Sequence, residues 1–170
     1  MKNLTLENIA KACGGIYVGS EEMKDREVQG IVTDSRKAEP GFLFVPIKGA
    51  RVDAHDFIDS VMANGALCTL TEKDIGKKSF PYIKVHSSLQ AVKDIAEFYL
   101  KQLDIPVVGI TGSVVKTSTK EMIAAVLEQK YKVLKTKGNF NNELGVPLTV
   151  FGLRPEPVSY THLTLPTTER

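Results

Sequence analysis

The sequence has little cysteine, little excess charge and no apolar run long enough to cross a bilayer. Its 22 Lys and Arg against 20 Asp and Glu give a net charge of +2, which argues against binding driven by nucleic-acid phosphates. Cys13 and Cys68 have no partner at metal-ligand spacing, which favours two reduced and mostly buried thiols. The first residues lack the apolar segment of a signal peptide, so we expect a cytoplasmic protein that contacts no membrane.

With 42% hydrophobic and 25% charged residues, the 170-residue chain has the composition of a globular protein of one domain or two small ones. Hydrophobic periodicity in the first half predicts a mixed α/β fold. The predicted helices span residues 5–13 and 55–64, and the predicted strands span residues 28–33, 42–47, 66–70 and 82–85.

The second half of the sequence predicts a different order of helices and strands. A helix over residues 88–102 precedes a strand over 106–111, a helix from about Ser118 and a strand over 132–136. Strand, loop, helix and strand in this order form the βαβ unit of a parallel sheet. We therefore predict two domains, residues 1–84 and 85–157, with the second incomplete.

Residues 158–170 differ in composition from the rest, with four Thr among thirteen residues and no Gly or Lys. The first ten of them can be back-translated into a string that resembles the adapter of transposon-based sequencing libraries. We interpret this segment as a non-native tail to be left out of the fold. The alternative is a genuine Thr-rich strand at the C-terminus.

The strongest chemical motif lies where the strand over 106–111 meets the next helix. A phosphate-binding loop needs backbone N–H groups turned toward the anion, a helix N-terminus and a lysine that reaches the terminal phosphates. A hydroxyl for Mg²⁺ completes the pattern. The predicted nucleotide-binding residues are Thr111, Gly112, Ser113, Val114, Val115, Lys116 and Thr117. An ordinary turn between strand and helix is the alternative.

Val115 breaks this motif, because the pattern T-G-S-x-G-K-T has glycine at that position. Glycine lets the backbone approach the phosphates and adopt a positive φ, whereas a β-branched valine disfavours both. We expect severely weakened nucleotide binding.

Three segments together resemble the Mur ligases of peptidoglycan synthesis. They are residues 33–57 (TDSRKAEPGFLFVPIKGARVDAHDF), 116–122 (KTSTKEM) and 134–149 (LKTKGNFNNELGVPLT). Within the family, the KEM and GNFNN runs favour the member that adds a terminal dipeptide over the member that forms the tripeptide. The resemblance implies an N-terminal UDP-binding domain, followed by the start of a parallel-sheet ATP-binding domain of the P-loop type.

The resemblance also implies the chemistry. ATP phosphorylates a carboxylate of UDP-N-acetylmuramoyl-tripeptide, and the amine of D-Ala-D-Ala attacks the acyl phosphate. Lys116 would be the catalytic residue that neutralises the phosphates, Thr117 would bind Mg²⁺, and Asn141 and Asn142 would line the same cleft. The UDP moiety would be held by Thr33, Ser35, Ala50, Arg51 and Val52.

Several of these residues also have a simpler interpretation, in which their role is structural. Asp34, Ser35 and Arg36 could form only a capped turn with a surface arginine, and asparagine is common in loops. A packing or helix-start role for His55 is favoured over catalysis, and His86 is interpreted as a linker residue.

One alternative function for the chain is that of an unrelated kinase or ATPase with a degenerate phosphate loop. Another is that of a non-catalytic UDP-sugar-binding module. The tripeptide-forming Mur ligase is a third. Because Val115 breaks the loop and the later parts of the ligase are missing, we expect this chain to be inactive. As in the family, we expect a monomer.

Overall fold

The computed structural model describes residues 1–136 and 142–153, and the backbone of residues 159–164. The chain divides into two compact units, Met1–Ile95 and Ala96–Arg170. The division falls inside helix α4 (Ser88–Lys101), whereas the sequence predicted a boundary after residue 84. Among the described residues, no helix is both long and apolar enough to cross a membrane.

The first unit is built on a five-stranded sheet in the order β1-β5-β4-β3-β2. Strand β1 pairs antiparallel with β5, and the other three pairings are parallel. Its strands are β1 (Ile16–Val18), β2 (Gly30–Val32), β3 (Phe42–Phe44), β4 (Cys68–Thr71) and β5 (Tyr82–Lys84). Its helices are α1 (Leu6–Ala12), α2 (Glu21–Lys24), α3 (Ile58–Ala63) and the first part of α4, with 3₁₀ turns at Ser35–Lys37 and Ala54–Phe57.

Local sequence explains where α1 begins. The Thr5 hydroxyl accepts a hydrogen bond from the N–H of Asn8 at 3.1 Å, which satisfies one of the donors that a helix start leaves free. Glu7 in the first turn and Lys11 in the last turn complement the helix dipole. Leu6 and Ile9 are fully buried on the inner face, so burial of this face fixes α1 against the unit.

Burial also explains the central strands. All four residues of β4 are buried, as expected for a parallel strand covered on both faces. Helix α3 covers one face, where Phe44 of β3 packs with Ile58, Val61 and Met62. This packing fixes α3 against β3.

The second unit contains a three-stranded parallel sheet in the order β6-β8-β7. Its elements are β6 (Val107–Ile110), α5 (Lys116–Leu127), β7 (Lys132–Lys135), α6 (Gly145–Val150) and β8 (Ser159–Thr164), together with the end of α4. The Tyr99 hydroxyl of α4 donates a hydrogen bond to the carbonyl of Leu153 at 3.0 Å, and both residues are buried. The predicted βαβ unit is present as β6, α5 and β7.

The position of β8 differs from the sequence prediction, which left residues 158–170 out of the fold. The backbone of Ser159–Thr164 pairs with β6 on one side and β7 on the other. Ladder hydrogen bonds involve only backbone groups, and a threonine-rich segment has a high strand propensity, so it can fill the gap between two parallel strands. The adapter origin of the segment stays a prediction.

Candidate functional site

The loop between β6 and α5 contains two residues with a positive φ. Gly112 has a φ of +147°, which side-chain-bearing residues rarely adopt, and Val115 has φ 64° and ψ 4° in the left-handed region. Helix α5 begins at Lys116, two residues earlier than the sequence predicted. Position 115 therefore has the left-handed backbone conformation that glycine adopts readily, although the residue there is a valine.

The N-terminus of α5 is open to an anion. No side chain caps it and its first turn contains no acidic residue, while Thr111, Gly112 and Ser113 are exposed. Backbone N–H groups at a helix start and the positive end of the helix dipole favour a phosphate at such a position.

Lys116 lies at the same helix start, and its ammonium donates a hydrogen bond to the carbonyl of Gly112. The lysine thus folds back across the loop that is predicted to hold the phosphates. Thr117 follows it and is exposed. A lysine, a hydroxyl and helix-start N–H groups form a donor set that fits a magnesium nucleotide. The described residues contain no group of three or more His, Cys, Asp or Glu side chains that could hold a metal ion.

Lys120, a buried lysine for which the sequence predicts no role, joins α5 to the residue that follows β7. Lys120 is 3% exposed, and its ammonium donates to the carbonyl of Thr136 at 2.8 Å and lies 3.2 Å from Glu121. Glu121 also pairs with Lys135 at 2.7 Å, and hydrogen bonds from Lys135 and Lys120 lower the pKa of Glu121. Lys120 follows Lys116 by four residues, so one face of the helix carries both lysines. That spacing is the one signal in the sequence that could have indicated it.

Asn141 and Asn142 are the two asparagines predicted to line the nucleotide cleft. Asn141 lies outside the described residues. The Asn142 Oδ1 atom accepts a hydrogen bond from the N–H of Gly145 at 2.7 Å, at the start of α6. The observed contact of Asn142 is therefore a capping interaction, and its proposed part in nucleotide binding stays a prediction.

The segments predicted to bind UDP lie at one edge of the first unit's sheet. Thr33 and Ser35 follow β2, and residues 50–52 lie in the connection that follows β3. Because β2 and β3 are adjacent and parallel, their carboxyl ends meet at the same edge, where ligands of open α/β sheets bind. The structure thus places both segments at one edge of this sheet.

The turn after β2 is held by Asp34. Its carboxylate accepts from the backbone N–H of Arg36 at 3.1 Å and from the Arg36 guanidinium at 2.9 and 2.8 Å. These hydrogen bonds lower the pKa of Asp34 from its ordinary value near 3.8 to about 2, and those from the guanidinium are the largest cause. The capped turn with a surface arginine is present, and it leaves Thr33 and Ser35 half-buried beside it.

The loop over residues 48–53 is a closed turn. The N–H of Gly49 donates to the carbonyl of Val52 at 3.0 Å, and Lys48 forms an isolated antiparallel bridge with Asp53. Ala50, Arg51 and Val52 are exposed at its tip, with Val52 56% exposed. Exposed backbone and an arginine at a sheet edge suit a diphosphate.

Asp53 ties this loop to the end of β4. It accepts from the N–H of His55 at 3.0 Å and from Lys73 at 3.0 Å, and its Oδ1 atom lies 2.6 Å from His55 Nδ1. These contacts hold the pKa of Asp53 well below its usual range, with the His55 backbone N–H as the largest cause, followed by Lys73. His55 is buried in the 3₁₀ turn, as its predicted packing role requires.

The model of the Mur ligase middle domain matches residues 110–162, which include the phosphate-type loop and α5. The chain is 38% identical over 151 residues to UDP-N-acetylmuramoyl-tripeptide–D-alanyl-D-alanine ligase of Bacillus subtilis, covering 88% of this chain and 33% of that protein. This chain is a relative of the Mur ligases.

Solved Mur ligase structures agree with the sequence match. MurF from Acinetobacter baumannii superimposes with a TM-score of 0.86 and 33% identity, over 98% of this chain and 36% of that one. MurF from Thermotoga maritima, solved in complex with ADP, superimposes with a TM-score of 0.72 and 35% identity, over 84% of this chain and 33% of that one.

The predicted resemblance to the dipeptide-adding Mur ligase is therefore confirmed. The chain spans about one third of the length of the curated relatives that it matches.

Proposed function

We propose that this chain is the UDP-binding and nucleotide-binding part of the Mur ligase that joins D-Ala-D-Ala to UDP-N-acetylmuramoyl-tripeptide. In this proposal residues 1–84 bind the UDP-muramoyl peptide and residues 85–157 begin the ATP-binding domain. The observation that supports the proposal is the loop between β6 and α5, which contains two residues with a positive φ, precedes an uncapped helix start and lies within the match to the Mur ligase middle domain.

ATP and Mg²⁺ are the proposed cofactors. The uncapped N-terminus of α5 and the ammonium of Lys116 would hold the phosphates, with Thr117 as a ligand to Mg²⁺. When bound, Mg²⁺ neutralises phosphate charge that would otherwise oppose transfer to a carboxylate. The Thermotoga maritima relative was solved in complex with ADP, which supports an adenine nucleotide as a ligand in this proposal.

The uridine nucleotide is proposed to bind at the carboxyl edge of the first sheet. The hydroxyls of Thr33 and Ser35 suit the uracil edge, and the exposed tip over residues 50–52 suits the diphosphate. The two ends of this site are held by the Asp34 turn and by the contacts of Asp53.

Calorimetric titration with UDP-N-acetylmuramoyl-tripeptide and, separately, with Mg-ADP tests the proposal. We expect measurable binding of the UDP compound and weak binding of Mg-ADP, which strengthens in Val115→Gly. A Ser35→Ala variant should weaken binding of the UDP compound and leave Mg-ADP binding unchanged. Absence of UDP-compound binding by the unmodified chain would overturn the assignment of the first unit.

A non-catalytic UDP-sugar-binding module is the second candidate. It is favoured by Val115, which places a branched side chain where the phosphate loop needs close approach. If the Val115→Gly variant gains no affinity for Mg-ADP, the module becomes the better description.

A further inference from the structure

His55 is a buried titratable residue that the proposed chemistry does not use. Its side chain is 4% exposed and lies in the turn directly after the loop over residues 48–53. The Nδ1 atom is 2.6 Å from Asp53 Oδ1, and the Nε2 atom accepts a hydrogen bond from the backbone N–H of Glu72 at 3.3 Å. Both ring nitrogens therefore have a partner.

These partners determine which nitrogen carries the proton. A backbone N–H is always a donor, so Nε2 facing Glu72 must present its lone pair. The single proton of the neutral ring then lies on Nδ1 and is donated to the Asp53 carboxylate. A proton on Nε2 would place that N–H against the backbone N–H of Glu72, so the hydrogen bond between them would be lost.

The same ring joins the loop to the rest of the unit. Asp53 is the last residue of the loop and is bridged to Lys48. Glu72 directly follows β4, and its carboxylate accepts from the N–H of Ser88 at 2.6 Å, at the start of α4. Through His55, the loop is thus anchored to Glu72, which directly follows the buried strand β4 and whose side chain is bonded to the start of α4.

Lys73 reinforces the anchor, because its ammonium donates to the second carboxylate oxygen of Asp53 at 3.0 Å. The Lys73 side chain is 60% exposed, whereas the His55 side chain is buried, so the histidine makes the part of the anchor that water cannot replace. Removing one partner of a buried hydrogen bond costs more than removing an exposed ion pair.

We propose that His55 is a positioning residue that fixes the loop over residues 48–53 in its binding geometry, acting as the neutral ring with its proton on Nδ1. It transfers no proton and need not touch the ligand. The proposal rests on the proposed function, since that function assigns residues 50–52 to the uridine diphosphate.

The first test is spectroscopic. Long-range ¹H–¹⁵N correlation spectra of the ¹⁵N-labelled chain at pH 7 should show His55 with a protonated Nδ1 and an unprotonated Nε2. Exposed His86 provides an internal reference for a solvated ring. A proton on Nε2 of His55, in either the neutral or the charged ring, would overturn the proposal.

The second test separates the two ring contacts. His55→Asn retains a short amide near Nδ1, and His55→Gln places an acceptor near Nε2. Both variants are compared with His86→Asn, at a temperature where circular dichroism shows all of them folded. We expect faster amide exchange over residues 48–53 and about tenfold weaker UDP affinity in both His55 variants, since each loses one buried hydrogen bond. The His86 variant should match the unmodified chain in both measurements.

The outcomes are distinguishable. Unchanged loop exchange in both His55 variants would overturn the positioning role. Faster loop exchange with unchanged UDP affinity would overturn the claim that this loop geometry serves binding. If the unmodified chain binds no UDP, the assignment of the loop to a uridine nucleotide fails, and the tautomer and amide exchange still decide whether His55 fixes the loop.

Discussion

Replacing Val115 by glycine should stabilise the second unit and strengthen nucleotide binding at the same time. A side chain in the left-handed region costs about 1–2 kcal/mol, and glycine at this position relieves that cost. The greater freedom of glycine in the unfolded chain offsets about 0.5–1 kcal/mol of the gain. Because the valine side chain is 64% exposed, its removal sacrifices little apolar burial. The expected net gain is about 1 kcal/mol in the free energy of unfolding.

Removal of the Cβ also opens the loop backbone to the phosphates. Restoring one or two hydrogen bonds to a charged phosphate should strengthen Mg-ADP binding by about tenfold or more. Urea titration followed by circular dichroism measures the stability, and calorimetry measures the affinity.

Val114 provides the matched control, since it is 74% exposed and its φ is not positive. Val114→Gly carries the entropic cost of glycine without relief of strain, so it should destabilise by about 0.5–1 kcal/mol. If the two substitutions change stability in the same direction and by the same amount, the reasoning about the left-handed backbone at Val115 is refuted.

Two further predictions concern charged groups. Lys120→Met should lower the free energy of unfolding by about 1–2 kcal/mol, because the carbonyl of Thr136 loses a charged donor in a buried site. Lys130→Met, at an exposed position, should change the free energy of unfolding little. Equal effects of the two substitutions in urea titrations would contradict this prediction. The pKa of Asp34 is lowered in the folded chain to about 2, so its stabilisation is fully present above pH 4 and is lost as the pH falls toward 2. Asp34→Asn should therefore be less stable than the unmodified chain at pH 6, and the difference should disappear as the pH falls below 2. A stability difference that does not change with pH would rule out the Arg36 contact as its source.

Several elements could be predicted from the sequence because their signals are local. The helix over residues 88–102 corresponds to α4, and the strand over 106–111 contains β6, since each carries its own hydrophobic periodicity. The predicted strands over 28–33 and 42–47 are longer than the three-residue β2 and β3. Strand ends depend on the neighbouring strand, which periodicity does not report.

The short elements were missed for the same reason. Strand β1 has three residues and exists through its antiparallel pairing with β5, about 65 positions later in the chain. Helices α2 and α6 have four and six residues, too few to show a helical period. The sequence of β8 shows an unusual composition but not the strands it pairs with, so composition alone predicts a tail outside the fold.

The sequence by itself determined the phosphate-type motif, the valine that departs from it at position 115 and the resemblance to the Mur ligases, because each depends on residues close together in the chain. Only the tertiary structure decided the partners of Lys120 and His55, since Thr136 and Glu72 lie 16 and 17 positions away. A buried polar side chain must find a hydrogen-bond partner, but the identity of that partner follows from how strands and helices pack. The motif at residues 111–117 could therefore be read from the sequence, whereas the contacts of Lys120 and of the loop over residues 48–53 depend on the fold.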